Sequence, residues 1–206
     1  MDSDQRRAPA ASARRGGSGQ PRRADAERSI AAILAAAAGC FARDPQVSMG
    51  EIAAAAGVGR VTLYAHFPSR EALLGELMDR ALREVTATVA AQRLDREPAD
   101  RALSALLRSS WHLLDRNLRM LHAARRALPA ETVEDRHADI LATVGRLITR
   151  GQDEGVFRAD LPAHWLVTSV YTLILAAGDQ VESGRFTSAE ALAALEATVA
   201  PALRSA

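Results

Sequence analysis

The stretch from Ile52 to Pro68 leaves little freedom in how this chain can fold. Ile52-Ala53-Ala54-Ala55-Ala56 is a run of helix formers, with Ile52 and Ala56 four residues apart on one face. Gly57 permits the left-handed backbone that ends such a helix, and Val58 is an apolar plug beneath the turn. A second short helix from about Gly59 to Tyr64 buries Leu63 and shows Arg60, Val61, Thr62, Tyr64 and His66 outward. Two short helices across a glycine turn, the second edged with donors for phosphates and bases, form a helix-turn-helix. The expectation is a DNA reader. Arg60 is placed for the major groove, where a guanidinium can bond guanine O6 and N7 together. Tyr64 also has a second reading, as a half-buried packing residue.

Upstream, Ile30, Ile33, Leu34, Ala37, Ala38 and Phe41 recur at the spacing of a helix with one buried stripe, which Asp44-Pro45 ends. Ser48 can cap the next helix, with Glu51 completing a capping box. After Pro68-Ser69, a helix over 70–92 carries Leu73, Leu74, Leu77, Met78, Ala81, Leu82, Val85 and Val89. At about 1.5 Å per residue it spans roughly 35 Å, enough to join a head to a body. Glu97-Pro98 breaks the pattern. Further helices are expected near 100–116, 117–127, 132–154, 162–183 and 188–204, with Pro129, Gly155, Pro162 and Gly184 at the junctions. No alternating strand pattern occurs, so the fold class is all-α. Residues 1–24 form an Arg-rich tail without apolar periodicity, expected to be disordered. It is either a solvated extension or an arm for phosphates and the minor groove. Residues 25–68 read as a three-helix head and 69–206 as a helical body.

The segment Ser48–Leu74 (SMGEIAAAAGVGRVTLYAHFPSREALL) resembles the DNA-binding domain of the tetracycline-repressor (TetR) family of bacterial transcription regulators. Glu51-Ile52-Ala53, Ala56-Gly57-Val58, Thr62-Leu63-Tyr64, His66-Phe67 and Ser69-Arg70-Glu71-Ala72-Leu73-Leu74 fall at the family's spacing. The phrase Gly151–Leu161 is similar to one that precedes the penultimate helix in many members. Between roughly Arg93 and Thr149 nothing specific is shared. The resemblance implies phosphate contacts from Thr62, Tyr64 and His66, a phosphate clamp at Arg70, and a phosphate contact from Ser48 beside its capping role. It also implies a homodimeric repressor on a palindromic double-stranded operator, released by a small-molecule inducer. Two departures stand out. Gly59 replaces a small hydroxyl residue, and Gly50 and Ala65 lack the longer side chains that many relatives use against the DNA backbone.

In the body, Trp165, Leu166, Val170, Leu173, Ile174 and Ala177 leave their helix apolar on more than one side. Leu192, Leu195, Val199 and Leu203 give the last helix a matching stripe. Such breadth suggests burial between subunits, and the resemblance implies a four-helix dimer interface from these two helices. Trp111 serves either core packing or a pocket wall. The expected ligand is an apolar or amphipathic molecule among the helices of residues 70–181, with Trp111 in the wall and Tyr171 supplying a polar contact.

The net charge of +1 is uneven: residues 1–66 carry nine Arg against six acids, the remainder seventeen against nineteen. A mildly basic front on an acidic body suits an N-terminal DNA reader. Cys40 is the single cysteine and lies in an apolar run, so it reads as a small buried hydrophobe with no intramolecular disulfide. The N-terminus lacks a secretory apolar stretch, and the apolar run Trp165–Ala177 falls short of the roughly 20 residues of a membrane span. A cytoplasmic protein is expected. Enzyme readings fail. Gly57-Val58-Gly59 lacks the further glycine and the preceding strand of a dinucleotide site. Glu134-Asp135-Arg136-His137 offers one Glu-x-x-His where a bundle metal site needs two, so Glu134 and His137 read as a solvated helix face. No metal or cofactor is called for. The rivals are an activator of the same family and a helical small-molecule-binding protein that no longer binds DNA; Arg60, Thr62, Tyr64 and His66 oppose the second.

Overall fold

Breaks in the apolar periodicity become turns. The computed structural model describes residues 19–92 and 94–205, and these are helical almost throughout. Helix α1 spans Gly19–Arg43, starting upstream of the Asp25 that apolar periodicity predicts. Ion pairs of Arg23 with Glu27 and Arg28 with Asp25 lie on an exposed stretch of it ahead of the apolar stripe that starts at Ile30. Most of the Arg-rich tail lies outside the described residues. Helices α2 (Met49–Ala55) and α3 (Arg60–His66) follow, then α4 (Arg70–Ala91) and a 3₁₀ turn at Leu94–Arg96. The body continues with α5 (Ala99–Ala127), α6 (Ala130–Asp153), α7 (Ala163–Glu182) and α8 (Ser188–Leu203).

The start signals act as their chemistry requires. The Ser48 hydroxyl accepts from the Glu51 N–H at 3.3 Å, and the Glu51 carboxylate accepts from the Ser48 N–H at 2.9 Å. Ser69 caps α4 by accepting from the Ala72 N–H, and Thr187 with Glu190 boxes the start of α8. One expectation is overturned: α5 is a single helix where two were expected, near 100–116 and 117–127. No glycine or proline interrupts the ladder there, and the Asn117 amide donates back to the Leu113 carbonyl at 2.9 Å instead of capping a new helix.

Two large apolar clusters organise the chain. The first holds Ile33, Phe41, Ile52 and Leu63 from α1–α3, but also Leu73, Leu74 and Met78 from α4 and Met120, Leu121 and Ala124 from α5. The head is therefore built onto the body, since its core continues into two body helices. Each fully buried Leu or Ile here contributes roughly 1.5–3 kcal/mol. The second cluster gathers Val85 and Val89 of α4, Leu103 and Leu107 of α5, Ile148, Phe157, Leu166, Val170 and Val199. No helix among the described residues is long and apolar enough to cross a membrane.

Candidate nucleic-acid interface and body cavity

Helix α3 is held from below and open above. Leu63 is its buried anchor, and Phe67 beyond its end is buried with it. Gly57 takes φ 67°, which lets the Val58 N–H reach the Ala53 carbonyl at 3.0 Å and sets α3 across α2. With Leu63 turned inward, Arg60, Val61, Thr62 and Tyr64 face water. Val61 is 85% exposed and Tyr64 48%, so Tyr64 stands out from the core. An isopropyl group this bare beside a guanidinium, a hydroxyl and a phenol suits a groove offering thymine methyls, base edges and phosphates. His66 is half-buried at the end of α3, and Ser48 is exposed at the start of α2. Gly59 gives α3 no side-chain cap. Gly50 has a visible use: a Cβ there would lie 2.6 Å from Nη2 of Arg60, so the guanidinium rests on the bare α2 backbone.

Arg70 behaves differently from the clamp expected of it. Its guanidinium turns inward, donates to the carbonyls of Pro45 and Val47, and lies 4.7 Å from the centre of the Phe41 ring. It ties the start of α4 to the α1–α2 connection, and those donors are committed to the protein.

Between α4, α5, α6 and α7 lies a cavity of about 80 Å³. Its wall is mainly Leu, Ile and Val, including Leu82, Val85, Leu106 and Val144, with Ser110, His137 and Tyr171 as the polar members. Tyr171 lines this cavity, and burial pushes its phenol above the ordinary value. Trp111 is not in this wall. It is 2% exposed, its indole N–H donates to the Ser188 carbonyl and hydroxyl at 3.0 Å, and it packs with Ala177, Ala191 and Leu195. One residue of helix is about 100° of rotation, so Ser110 faces the cavity while Trp111 faces α8.

His137 also departs from the solvated face expected of it. It is buried, with its ring centre 5.2 Å from that of Tyr171, while Glu134 is exposed. Burial pulls the imidazole below its ordinary value, against a hydrogen bond to the Val133 carbonyl. The missed signal is register: Val133, His137, Ile140 and Val144 share one stripe of α6.

The residues expected at a dimer interface separate into two sets. Leu166, Val170, Leu195 and Val199 are buried within a single chain. Leu173, Ile174 and Leu192 are half-buried, and Trp165 is 55% exposed. The apolar width of α7 is thus used partly inside the chain, and the outward remainder centres on Trp165 and Leu173.

Residues 33–77 match the family model described as bacterial regulatory proteins, tetR family. The chain is 30% identical over 150 residues to the HTH-type transcriptional regulator EthR of Mycobacterium tuberculosis, covering 68% of each chain. It is 39% identical over 89 residues to the HTH-type transcriptional repressor LfrR of Mycolicibacterium smegmatis, covering 42% of this chain and 46% of that one. Among solved structures, a transcriptional regulator from Saccharomonospora viridis in complex with choline superposes with a TM-score of 0.74 at 23% identity, covering 87% of this chain and all of that one. LfrR in complex with proflavine superposes at 0.67 and 22% identity, covering 87% and 98%.

Proposed function

The chain belongs to the TetR family of bacterial regulatory proteins, and from that premise we propose that it is a ligand-responsive repressor binding a palindromic operator as a homodimer. The observation that carries the reading is the surface of α3, where Arg60, Val61, Thr62 and Tyr64 are exposed on a helix pinned only by Leu63. Repression as the polarity is supported by the name of LfrR. Ligand response is supported by the cavity among α4–α7 and by the choline and proflavine complexes of structural neighbours. Dimerisation is supported by the outward apolar residues of α7, Trp165 above all, which water alone does not favour. Ser48, Thr62, Tyr64 and His66 are assigned phosphate contacts, and Arg60 with Val61 base edges.

A twofold dimer would set two copies of α3 into successive major grooves roughly 34–36 Å apart. The test is DNase footprinting on DNA upstream of the chain's own gene. A symmetric protected site is expected. Arg60→Ala should cost about 1–3 kcal/mol and relax preference at one position of each half-site. No protected site there or in a genome-wide selection, or unchanged affinity in Arg60→Ala, overturns the assignment.

A further inference from the structure

From the cavity wall we infer that the ligand is an uncharged amphiphile with one hydroxyl-like head, a phenol, alcohol or primary amide, held between Ser110 and His137. The wall supplies no Asp, Glu or Arg among its described residues. A charged head would therefore enter an apolar chamber unpaired, at a cost large enough to exclude it. Ser110 is 6% exposed, and among the described residues its hydroxyl has no hydrogen-bond partner. Its neighbour Ser109 bonds back to the Ala105 carbonyl at 2.9 Å, as helix serines do. A buried hydroxyl without a partner destabilises the ligand-free fold, and a ligand that pairs with it removes that cost.

His137 supplies the second half of the recognition. Its Nδ1 lies 2.6 Å from the Val133 carbonyl. A carbonyl only accepts, so Nδ1 carries the proton and Nε2 is left as an acceptor on the other edge of the ring. Burial keeps the ring neutral, and the charge of Arg125 acts in the same direction. Ser110 can thus donate while Nε2 accepts, a pair complementary to a group that both accepts and donates. Tyr171, tilted 58° against His137, lines the same cavity. A cation such as choline or proflavine, found in structural neighbours, has no counter-charge in this wall.

The inference rests on the cavity being the ligand site, and it can fail separately from the operator reading. Calorimetry on the full chain at neutral pH, without DNA, would use four single-ring probes, the smallest aromatics carrying each head: phenol, toluene, benzoate and benzylammonium. The phenol should bind roughly tenfold or more tighter than each of the other three. Ser110→Ala should erase the preference over the toluene while leaving the toluene's own affinity in place. It should also raise the melting temperature of the ligand-free protein, because an unpaired hydroxyl has gone. His137→Phe should likewise erase the preference; if it does not fold, Ser110→Ala decides. Equal or tighter binding of either ion, no binding by any probe, or a preference that survives Ser110→Ala overturns the inference. A sound footprint with a failed probe series leaves the operator reading standing, and the reverse result leaves the cavity assignment standing.

Discussion

A methyl group at Gly151 would lie 2.0 Å from Cδ2 and 2.5 Å from Cε2 of Phe157. Carbon atoms settle at about 3.5–4.0 Å, so the ring would have to retreat by about 1.5 Å. Its backbone resists that retreat. The Phe157 N–H donates to the Gly151 carbonyl at 2.9 Å, the Arg158 N–H donates to the Leu203 carbonyl at 2.8 Å, and Phe157 pairs with Arg204 across an isolated antiparallel bridge. Overpacking costs about 1–3 kcal/mol, and a ring tied on both sides places Gly151→Ala at the upper end, about 3 kcal/mol. In a chain of this length each kcal/mol lowers the melting temperature by about 2–4 °C, so a fall of roughly 6–12 °C is expected in calorimetry. Phe157→Ala alone should cost about 3–5 kcal/mol. In that background the new methyl enters space the ring has left, and adding Gly151→Ala should be nearly neutral. The four proteins form a double-mutant cycle whose coupling measures the contact. Phe157 belongs to the second apolar cluster and not to the one beneath α3, so folded Gly151→Ala protein should keep its operator affinity. A Gly151→Ala protein melting within about 2 °C of the parent refutes the reasoning, as does a penalty that persists without the ring.

Arg70→Ala should destabilise the chain by about 1.5–3 kcal/mol in urea denaturation, yet leave the salt slope of operator binding unchanged; a slope shallower by about one would place Arg70 on a phosphate after all. Leu173→Asp should give folded monomers in sedimentation and Val170→Asp an unfolded chain, because Leu173 is half-buried and Val170 lies in the protomer core; dimeric Leu173→Asp would move the interface elsewhere. Burial holds the His137 imidazole below its ordinary value, so the unfolded chain takes up that proton first as pH falls. Stability from this residue is complete above about pH 6.5 and drains as pH drops towards the folded value. Urea midpoints across about pH 5–8 should therefore slope less in His137→Phe than in the parent, and equal slopes would count against a neutral buried ring.

Local signals carried much of the fold. Ser48 with Glu51, Ser69, Gly57 and the prolines act within a few residues of themselves, so the turn before α3 and the ends of α4 were legible. The exposed face of α3 follows from one buried Leu and helical rotation. What stayed hidden needed a partner distant in sequence. Neighbours 110 and 111 point about 100° apart, and only the position of α8 decides which one meets a cavity. Arg70 reads as a free cation until the carbonyls of Pro45 and Val47 come within reach. The apolar width of α7 is real, but one chain cannot reveal in sequence which share of it is covered by its own α5, α6 and α8.

The sharing of cores between head and body has a mechanical consequence. Helices α4 and α5 each belong to both clusters: α4 contributes Leu73–Met78 to the first and Val85 and Val89 to the second, while α5 contributes Met120–Ala124 to the first and Ala99–Leu107 to the second. Leu82, Ser110 and Leu114, all bordering the cavity, lie on those two helices between these blocks. The two clusters are therefore joined by two antiparallel helices, with the chamber bordered by the stretches that link them. Packed interiors resist compression, so, under the ligand-responsive reading proposed above, a guest larger than the chamber would shift the two clusters against each other and carry α3 with the cluster that holds Leu63.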